Sequence, residues 1–398
     1  MKQVVVVGMG PGSRQYLTKE TIDAIDQAQV LIGSKRLTEN YIHTGKNIYN
    51  AVTANDIIEI IGHETAHSYV VMMSGDTGFY SGTRKLMELM PEEYDCRLLP
   101  GISSIVYMAA MIGQPWEMAA LVSLHGRKQN YVPIVRQNEW TYFLTQGNVS
   151  DICERLSKCG LASTDVWIGE NLSYEDEKLH KGKASDFTEY ETEGLTVMAV
   201  NNKDYHSYVS AGIPDDCFIR AEVPMTKRDV RASVVSRMAV SKDDTVYDIG
   251  AGTGSVTIEL AMQALYGTVY AVERTKEGCG LIQKNADRFG VDNINVIHGM
   301  ASDVIEELPV PDAVFIGGSG GELGYIIKSI LKKNPVVHMV ITAVTMETLY
   351  EAVTLMEDNG MSVVDIVQIA VTELKKRGRY HMMSANNPVF VIEGRGVR

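Results

Sequence analysis

"VYDIGAGTGSVTIELA", residues 246–261, decides the fold. A short apolar, β-forming run enters the turn Gly250-Ala251-Gly252-Thr253-Gly254, and a helical pattern follows at once. Strand, glycine turn and helix in that order place backbone N–H groups at a helix N-terminus, where a nucleotide-like ligand can lie against them. Glycine suits such a turn because it permits unusual φ angles and close backbone approach. Dinucleotide folds usually space these glycines G-x-G-x-x-G, the third serving helix packing beside a pyrophosphate. Here the spacing is G-x-G-x-G, Asp248 precedes it, and Glu273 closes the next apolar run, nineteen residues after Gly254. An acid at that place accepts hydrogen bonds from both hydroxyls of a ribose.

Outward from this turn, seven runs read as strands: "TVYDIG", "TVYAVE", "INVIHG", "AVFIGG", "HMVITAV", "VDIVQIAV" and "PVFVIEG". Helical segments separate the first six, among them "TKEGCGLIQKNADRF" closed by Gly290 and "METLYEAVTLMEDN" closed by Gly360. The spacing predicts a doubly wound α/β sheet, with the last two strands an antiparallel pair at one edge. Towards the N-terminus, "QVVVV", "SYVVMM", "CRLL", "WTYFLT", "DVWIGE" and "LTVMAV" alternate with helical runs such as "TKETIDAIDQA", a second α/β pattern. Residues 201–224 carry turn residues without a sustained period. Two domains are therefore expected, 1–204 and 205–398.

The 398 residues are 45% hydrophobic and 22% charged, the balance of an ordinary globular protein. A formal charge of −13 repels polyanions at long range and disfavours nonspecific nucleic-acid binding. Five cysteines without a C-x-x-C pair form no disulfide framework, and the apolar run behind Met1 is too short for a signal peptide, so a cytoplasmic protein is expected. "SIVYMAAMIGQPWEMAALV" is interrupted by Gln114, Pro115 and Glu117, which predicts a buried helix and then a strand and not a membrane span.

Two basic runs are candidates for an anionic substrate. "PMTKRDVRASVVSRM", residues 224–238, read as a helix from Thr226, presents Lys227, Arg228 and Arg231, with Lys227 and Arg231 on one face. Cations at a helix N-terminus oppose its dipole, so they are either substrate contacts or a solvated basic face. "ELKKRGRYHMM", residues 373–383, is either a charged hairpin loop or a second wall of the same pocket. "HETAH", residues 63–67, matches the H-E-x-x-H zinc pattern, but Gly62 before it and a strand after it deny the mid-helix context. No metal site is expected. His125 in "SLHGRK" is a loop-packing residue or a substrate contact.

Taken together, the acid before the loop, G-x-G-x-G and the acid ending the next strand resemble the Rossmann-like S-adenosylmethionine-dependent methyltransferases, whose cofactor has a ribose but no pyrophosphate. The Asn/Asp-Pro-Pro-aromatic motif of exocyclic-amine methylation is absent, and "FIGGSGGEL", residues 315–323, stands in its place. With "PMTKRDVRA" and "NPVFVIEG", the second half resembles the decarboxylating precorrin-6B or cobalt-precorrin-6B methyltransferases of cobalamin biosynthesis. Their reaction methylates ring carbon 15 and removes carbon dioxide from the acetate at ring carbon 12. The resemblance implies cofactor contacts at Thr226, Asp248, Gly250, Ala251, Gly252, Thr253, Gly254, Glu273 and Ala301. Met300 stands where relatives often have the acid of Gly-Asp-Ala.

"VVVVGMGPGS", "MSGDTGFYSG", "LLPGISSIVYMAA" and "WIGENLSYEDEKLHKG" resemble the tetrapyrrole methylase fold, specifically the ring carbon 5 methyltransferases. This implies two α/β subdomains with a cofactor cleft at Gly75, Asp76, Ser103 and Ser104, and a substrate face at Gly8 to Gly12, chiefly Gly10 and Gly12. Thr77 and Asn171 depart from the usual Ser-Gly-Asp-Pro and Gly-Glu-Arg-Leu motifs. In this order the halves resemble the fused precorrin-6Y C(5,15)-methyltransferases (decarboxylating), which implies a tetrapyrrole substrate, a homo-oligomer, and direct methyl transfer without an enzyme nucleophile. No residue is identified for the decarboxylation. The rivals are an NAD-dependent oxidoreductase, disfavoured by glycine spacing, an RNA methyltransferase, disfavoured by acidity, and a noncatalytic tetrapyrrole-binding protein.

Overall fold

The computed structural model describes residues 2–125, 129–205 and 211–397. Two compact units form, one from 1–125, 138–154 and 162–203, the other from 126–137, 155–161 and 204–398.

The first unit opens with a five-stranded parallel sheet of β1 (Gln3–Gly8), β2 (Val30–Gly33), β3 (Asn47–Asn50), β4 (Ser68–Met73) and β5 (Asp95–Leu99), in the order β3-β2-β4-β1-β5. β1 is interior: Val4 and Val6 are buried in one apolar cluster and Val7 in the other. Coverage of both faces is why the strand reads as four unbroken valines. Just past the C-terminal ends of β1 and β4, Gly10 and Gly75 exchange a pair of 3.1 Å backbone hydrogen bonds. The helix Ser104–Ile112 stops at left-handed Gly113, ahead of Pro115, as the interrupted apolar stretch predicts. A second sheet follows, β6 (Ala120–Ser123), β7 (Trp140–Leu144), β8 (Asp165–Glu170), β9 (Lys178–Lys183) and β10 (Thr196–Asn201), in the order β6-β7-β10-β8-β9.

The second unit is built on β11 (Thr245–Ile249), β12 (Thr268–Glu273), β13 (Ile294–His298), β14 (Ala313–Ile316), β15 (His338–Ala343), β16 (Met361–Ile369) and β19 (Val389–Gly396), in the order β13-β12-β11-β14-β15-β19-β16. The first five are parallel, and β19 runs antiparallel between β15 and β16. Both faces are covered, Val246 packing to one side and Tyr247 to the other. Strand order reverses between β11 and β14, and a ligand crevice opens at such a reversal, beyond the strand C-termini. The run 373–383 is the charged hairpin the sequence allows, and none of its residues lines that crevice. It forms an exposed ribbon, β17 (Thr372–Arg377) paired with β18 (Tyr380–Ala385).

Candidate functional site

β11 ends at Ile249 and the chain turns at Gly250 (φ 75°) and Gly252 (φ 57°) into the helix Ser255–Gln263. The N–H groups of Gly250, Ala251, Gly252 and Gly254 are engaged within the protein and do not await a ligand. Gly250 and Ala251 donate to the Val272 carbonyl at 2.9 and 3.2 Å, and Gly254 donates to Ala251 at 2.8 Å. The bare α-carbons serve close approach: a Cβ on Gly250 would lie 2.5 Å from the Gly318 carbonyl, and one on Gly252 2.6 Å from that of Pro224. The loops after β11 and β14, and the segment leading into the helix Arg228–Met238, thereby converge on one cavity of about 420 Å³.

Glu273, buried at the tip of β12, lines that cavity in a fixed pose. Its Oε2 accepts from the Gly252 N–H at 2.9 Å, and its Oε1 from the N–H and hydroxyl of Thr275 at 2.9 and 2.8 Å. Carboxylate oxygens each accept more than one bond, so the pose leaves acceptor capacity for a ligand's hydroxyls. Two supporting residues carry no motif signal in the sequence. A Cβ at Gly278 would lie 2.6 Å from Glu273 Cγ, so the first turn of the helix Lys276–Phe289 makes room for the acid. Buried Asn285, on the same helix, donates to the Thr253 carbonyl at 2.8 Å and exchanges bonds with Ile219.

The cavity wall includes Thr226, Gly250, Ala251, Gly252, Glu273, Met300 and Ala301. Asp248, Thr253 and Gly254 stand behind it. Asp248 is fully buried, accepts a 2.5 Å bond from the Thr257 hydroxyl through Oδ2, and leaves Oδ1 unpartnered. Burial pushes its carboxyl up to about 7, against the Thr257 bond, with the Glu273 charge adding to the rise. Met300 fills the place of the expected acid with an apolar side chain, whose methyl would lie 3.1 Å from a Cβ at Gly320.

Arg231 is not a substrate residue in this geometry, because its guanidinium is sealed in the protein. It bonds Glu259 at 2.6 Å, Asp215 at 3.1 Å, the Thr226 carbonyl at 2.6 Å and the Ile213 carbonyl, and lies 4.7 Å from the Phe218 ring centroid. Glu259 in turn accepts from the N–H groups of Gly212 and Ile213 at 2.6 and 2.9 Å. The helix begins at Arg228 with Lys227 as its N-cap, two residues later than the sequence predicts. Lys227, 3.9 Å from Asp215, and Arg228, bonded to the Gly212 carbonyl at 2.8 Å, are exposed and stand outside the cavity lining.

The first unit holds a second cavity, of about 270 Å³, lined by Gly10, Gly75, Asp76, Ser103, Ser104 and His125 among others. Asp76 ties its walls together, accepting from Gly78 at 2.8 Å and Gly101 at 2.9 Å. Ser103 caps the helix Ser104–Ile112 through a 3.2 Å bond from the Val106 N–H. Gly8 and Gly12 do not face this cavity. A Cβ on Gly8 would strike Gly101 at 2.6 Å, and one on Gly12 the Tyr174 ring at 2.2 Å. In "HETAH", the helix Ala54–His63 ends at the first histidine, so the pair shares no helical face.

Fold and crevice give the second unit the class of a Rossmann-like methyltransferase. Residues 216–394 match the family model of the precorrin methyltransferase domain, and residues 3–188 that of the tetrapyrrole (corrin/porphyrin) methylases. A probable cobalt-precorrin-6B C(15)-methyltransferase (decarboxylating) of Pyrobaculum calidifontis is 40% identical over 188 residues, 46% of this chain and 96% of that protein. A precorrin-6Y C(5,15)-methyltransferase [decarboxylating] of a Sinorhizobium species is 29% identical over 330 residues, 81% of this chain and 79% of that one. Among solved structures, a precorrin-6y C5,15-methyltransferase from Geobacter metallireducens GS-15 is 37% identical with a TM-score of 0.44, covering 46% of this chain and 95% of that one. The chain belongs to the decarboxylating precorrin methyltransferase family, in its fused two-domain form.

Proposed function

We propose that the chain methylates ring carbons 5 and 15 of precorrin-6B or its cobalt form and removes carbon dioxide from the ring C acetate, with S-adenosylmethionine as methyl donor. Residues 1–204 act at ring carbon 5 and residues 205–398 at ring carbon 15, in a cytoplasmic homo-oligomer. The observation that carries this reading is that one chain holds two separate cavities, each flanked by glycine turns at strand C-termini, in halves that match two different methyltransferase families.

In the second unit, Glu273 accepts the ribose hydroxyls while Gly250, Ala251 and Gly252 present a wall without side-chain bulk. Thr226 and Ala301 complete the cavity, and Asp248, Thr253 and Gly254 hold the turn from behind. In the first unit, Gly75, Asp76, Ser103 and Ser104 form the donor cleft, with Gly10 on the side of the macrocycle. S-adenosylmethionine supplies, when bound, an electrophilic methyl whose transfer needs an in-line ring carbon and no enzyme nucleophile. The protein's part is therefore orientation, which can supply several kcal/mol of the barrier, roughly 7–11 in favourable cases.

Product masses after incubation with S-adenosylmethionine and precorrin-6B, metal-free and cobalt-bound in parallel, test the proposal. Gain of two methyls with loss of one carbon dioxide is expected. No mass change in either form would overturn it.

A further inference from the structure

The chain carries thirteen more acids than bases, so carboxylate partners for its cations are plentiful. Arg36, half-buried behind β2, has none: among the described residues no carboxylate lies within 4.0 Å of it. Among the described residues its guanidinium donates to neutral hydroxyls, those of Tyr174 and, at 3.1 Å, of Ser74. The adjacent Lys35, by contrast, pairs with Glu39 at 3.7 Å. A partly desolvated cation held by hydroxyls alone gains most when an anion reaches it, and a guanidinium fork matches a carboxylate's two oxygens.

The placement is built from both parts of the first unit. Ser74 lines the cavity and directly precedes Gly75 and Asp76. Tyr174 comes from the loop after β8 and packs its ring on Gly12, where any Cβ would sit 2.2 Å away. Gly12 thus acts at one remove: its bare α-carbon seats Tyr174, and Tyr174 holds the guanidinium of Arg36, which stands outside the lining and is joined to it through Ser74.

We propose that Arg36, oriented by Tyr174 and Ser74, is the anchor for one side-chain carboxylate of the tetrapyrrole at the first unit's cavity. The inference rests on the tetrapyrrole reading above. It is tested on the full chain, scoring methyl gain without carbon dioxide loss for ring carbon 5, and methyl gain with that loss for ring carbon 15. Arg36→Met is expected to raise the KM for the tetrapyrrole at ring carbon 5 about 10- to 100-fold, the loss of a charge-assisted pair. The kcat at ring carbon 5, the KM for S-adenosylmethionine and all ring carbon 15 chemistry stay near wild type. Arg36→Lys, which keeps the charge and loses the fork, falls between, as does Tyr174→Phe.

An unchanged tetrapyrrole KM in an active Arg36→Met protein overturns the anchor and leaves the proposed function standing. If Arg36→Met loses both methylations it has lost its fold, and Arg36→Lys then decides: a wild-type KM there overturns the anchor. A wild-type protein that fails to methylate ring carbon 5 overturns the reading of the cleft and the anchor with it.

Discussion

Glu273 has both carboxylate oxygens oriented by protein donors before any ligand arrives, so ligand hydroxyls meet an acceptor that needs no reorganisation. Hydrogen bonds to a charged group contribute about 1.5–3 kcal/mol each, and Glu273→Ala is expected to weaken S-adenosylmethionine binding roughly 10- to 150-fold. Titration calorimetry on the full chain checks this, and a smaller loss would mean that the ribose is held elsewhere. Asp248, one strand away, works differently. Its folded pKa near 7 lies above the ordinary 3.8, so between these values the folded protein keeps a proton that the unfolded chain has released. Stability contributed at this position is therefore present at low pH and lost as pH rises through that window, by at most roughly 4 kcal/mol at about 1.4 per pKa unit. Asp248→Asn removes the titration. Melting at pH 5 and pH 8 should show the variant gaining on wild type at the higher pH, and a constant difference would count against a buried titrating Asp248. The sequence displays an acid at both places, and only burial separates the one facing the cavity from the one behind it.

Among the elements, the helix Arg228–Met238 shows where a sequence pattern stops short. Lys227 and Arg231, spaced i to i+4, read as one basic face, yet Arg231 is enclosed and Lys227 exposed. The deciding partner is Glu259, which a linear text places in the middle of another helix with nothing to link them. Together with Asp215, this pair fastens residues 212–226 against the helices, and that segment supplies one rim of the cavity through Glu222, Val223, Pro224 and Thr226. Removing one member of a buried pair strands the other's charge, at a cost of about 3–5 kcal/mol. Arg231→Met should destabilise the second unit by that order in urea unfolding, and Arg231→Met with Glu259→Met should recover much of it. A single variant as stable as wild type would show that the pair is dispensable. The seven-stranded sheet itself was legible because its interior strands are continuous apolar runs. Less so were β2, with four residues, and β3 and β9, edge strands of mixed polarity.

At the scale of the molecule, the two cavities have separate walls and separate acids. Asp76 joins Gly78 and Gly101 in the first unit, and Glu273 joins Gly252 and Thr275 in the second. Neither set of bonds crosses into the other unit, so each acid should govern one methylation. Much of this was in the sequence, since two glycine-turn systems in different surroundings announce two sites. What the text could not give was the loop chemistry: the N–H groups of Gly250, Ala251 and Gly252 answer to Val272 and Glu273, partners fixed by β11 lying beside β12. Glu273→Ala, assayed at limiting S-adenosylmethionine, should suppress methyl gain with carbon dioxide loss and leave the gain of a single methyl intact, while Asp76→Ala should do the reverse. Product masses from the two variants, with a Glu273→Ala/Asp76→Ala chain as the inactive reference, read both reactions in one experiment. Loss of both reactions in either folded single variant would mean that the sites are coupled and that the fusion does more than join two catalysts in one chain.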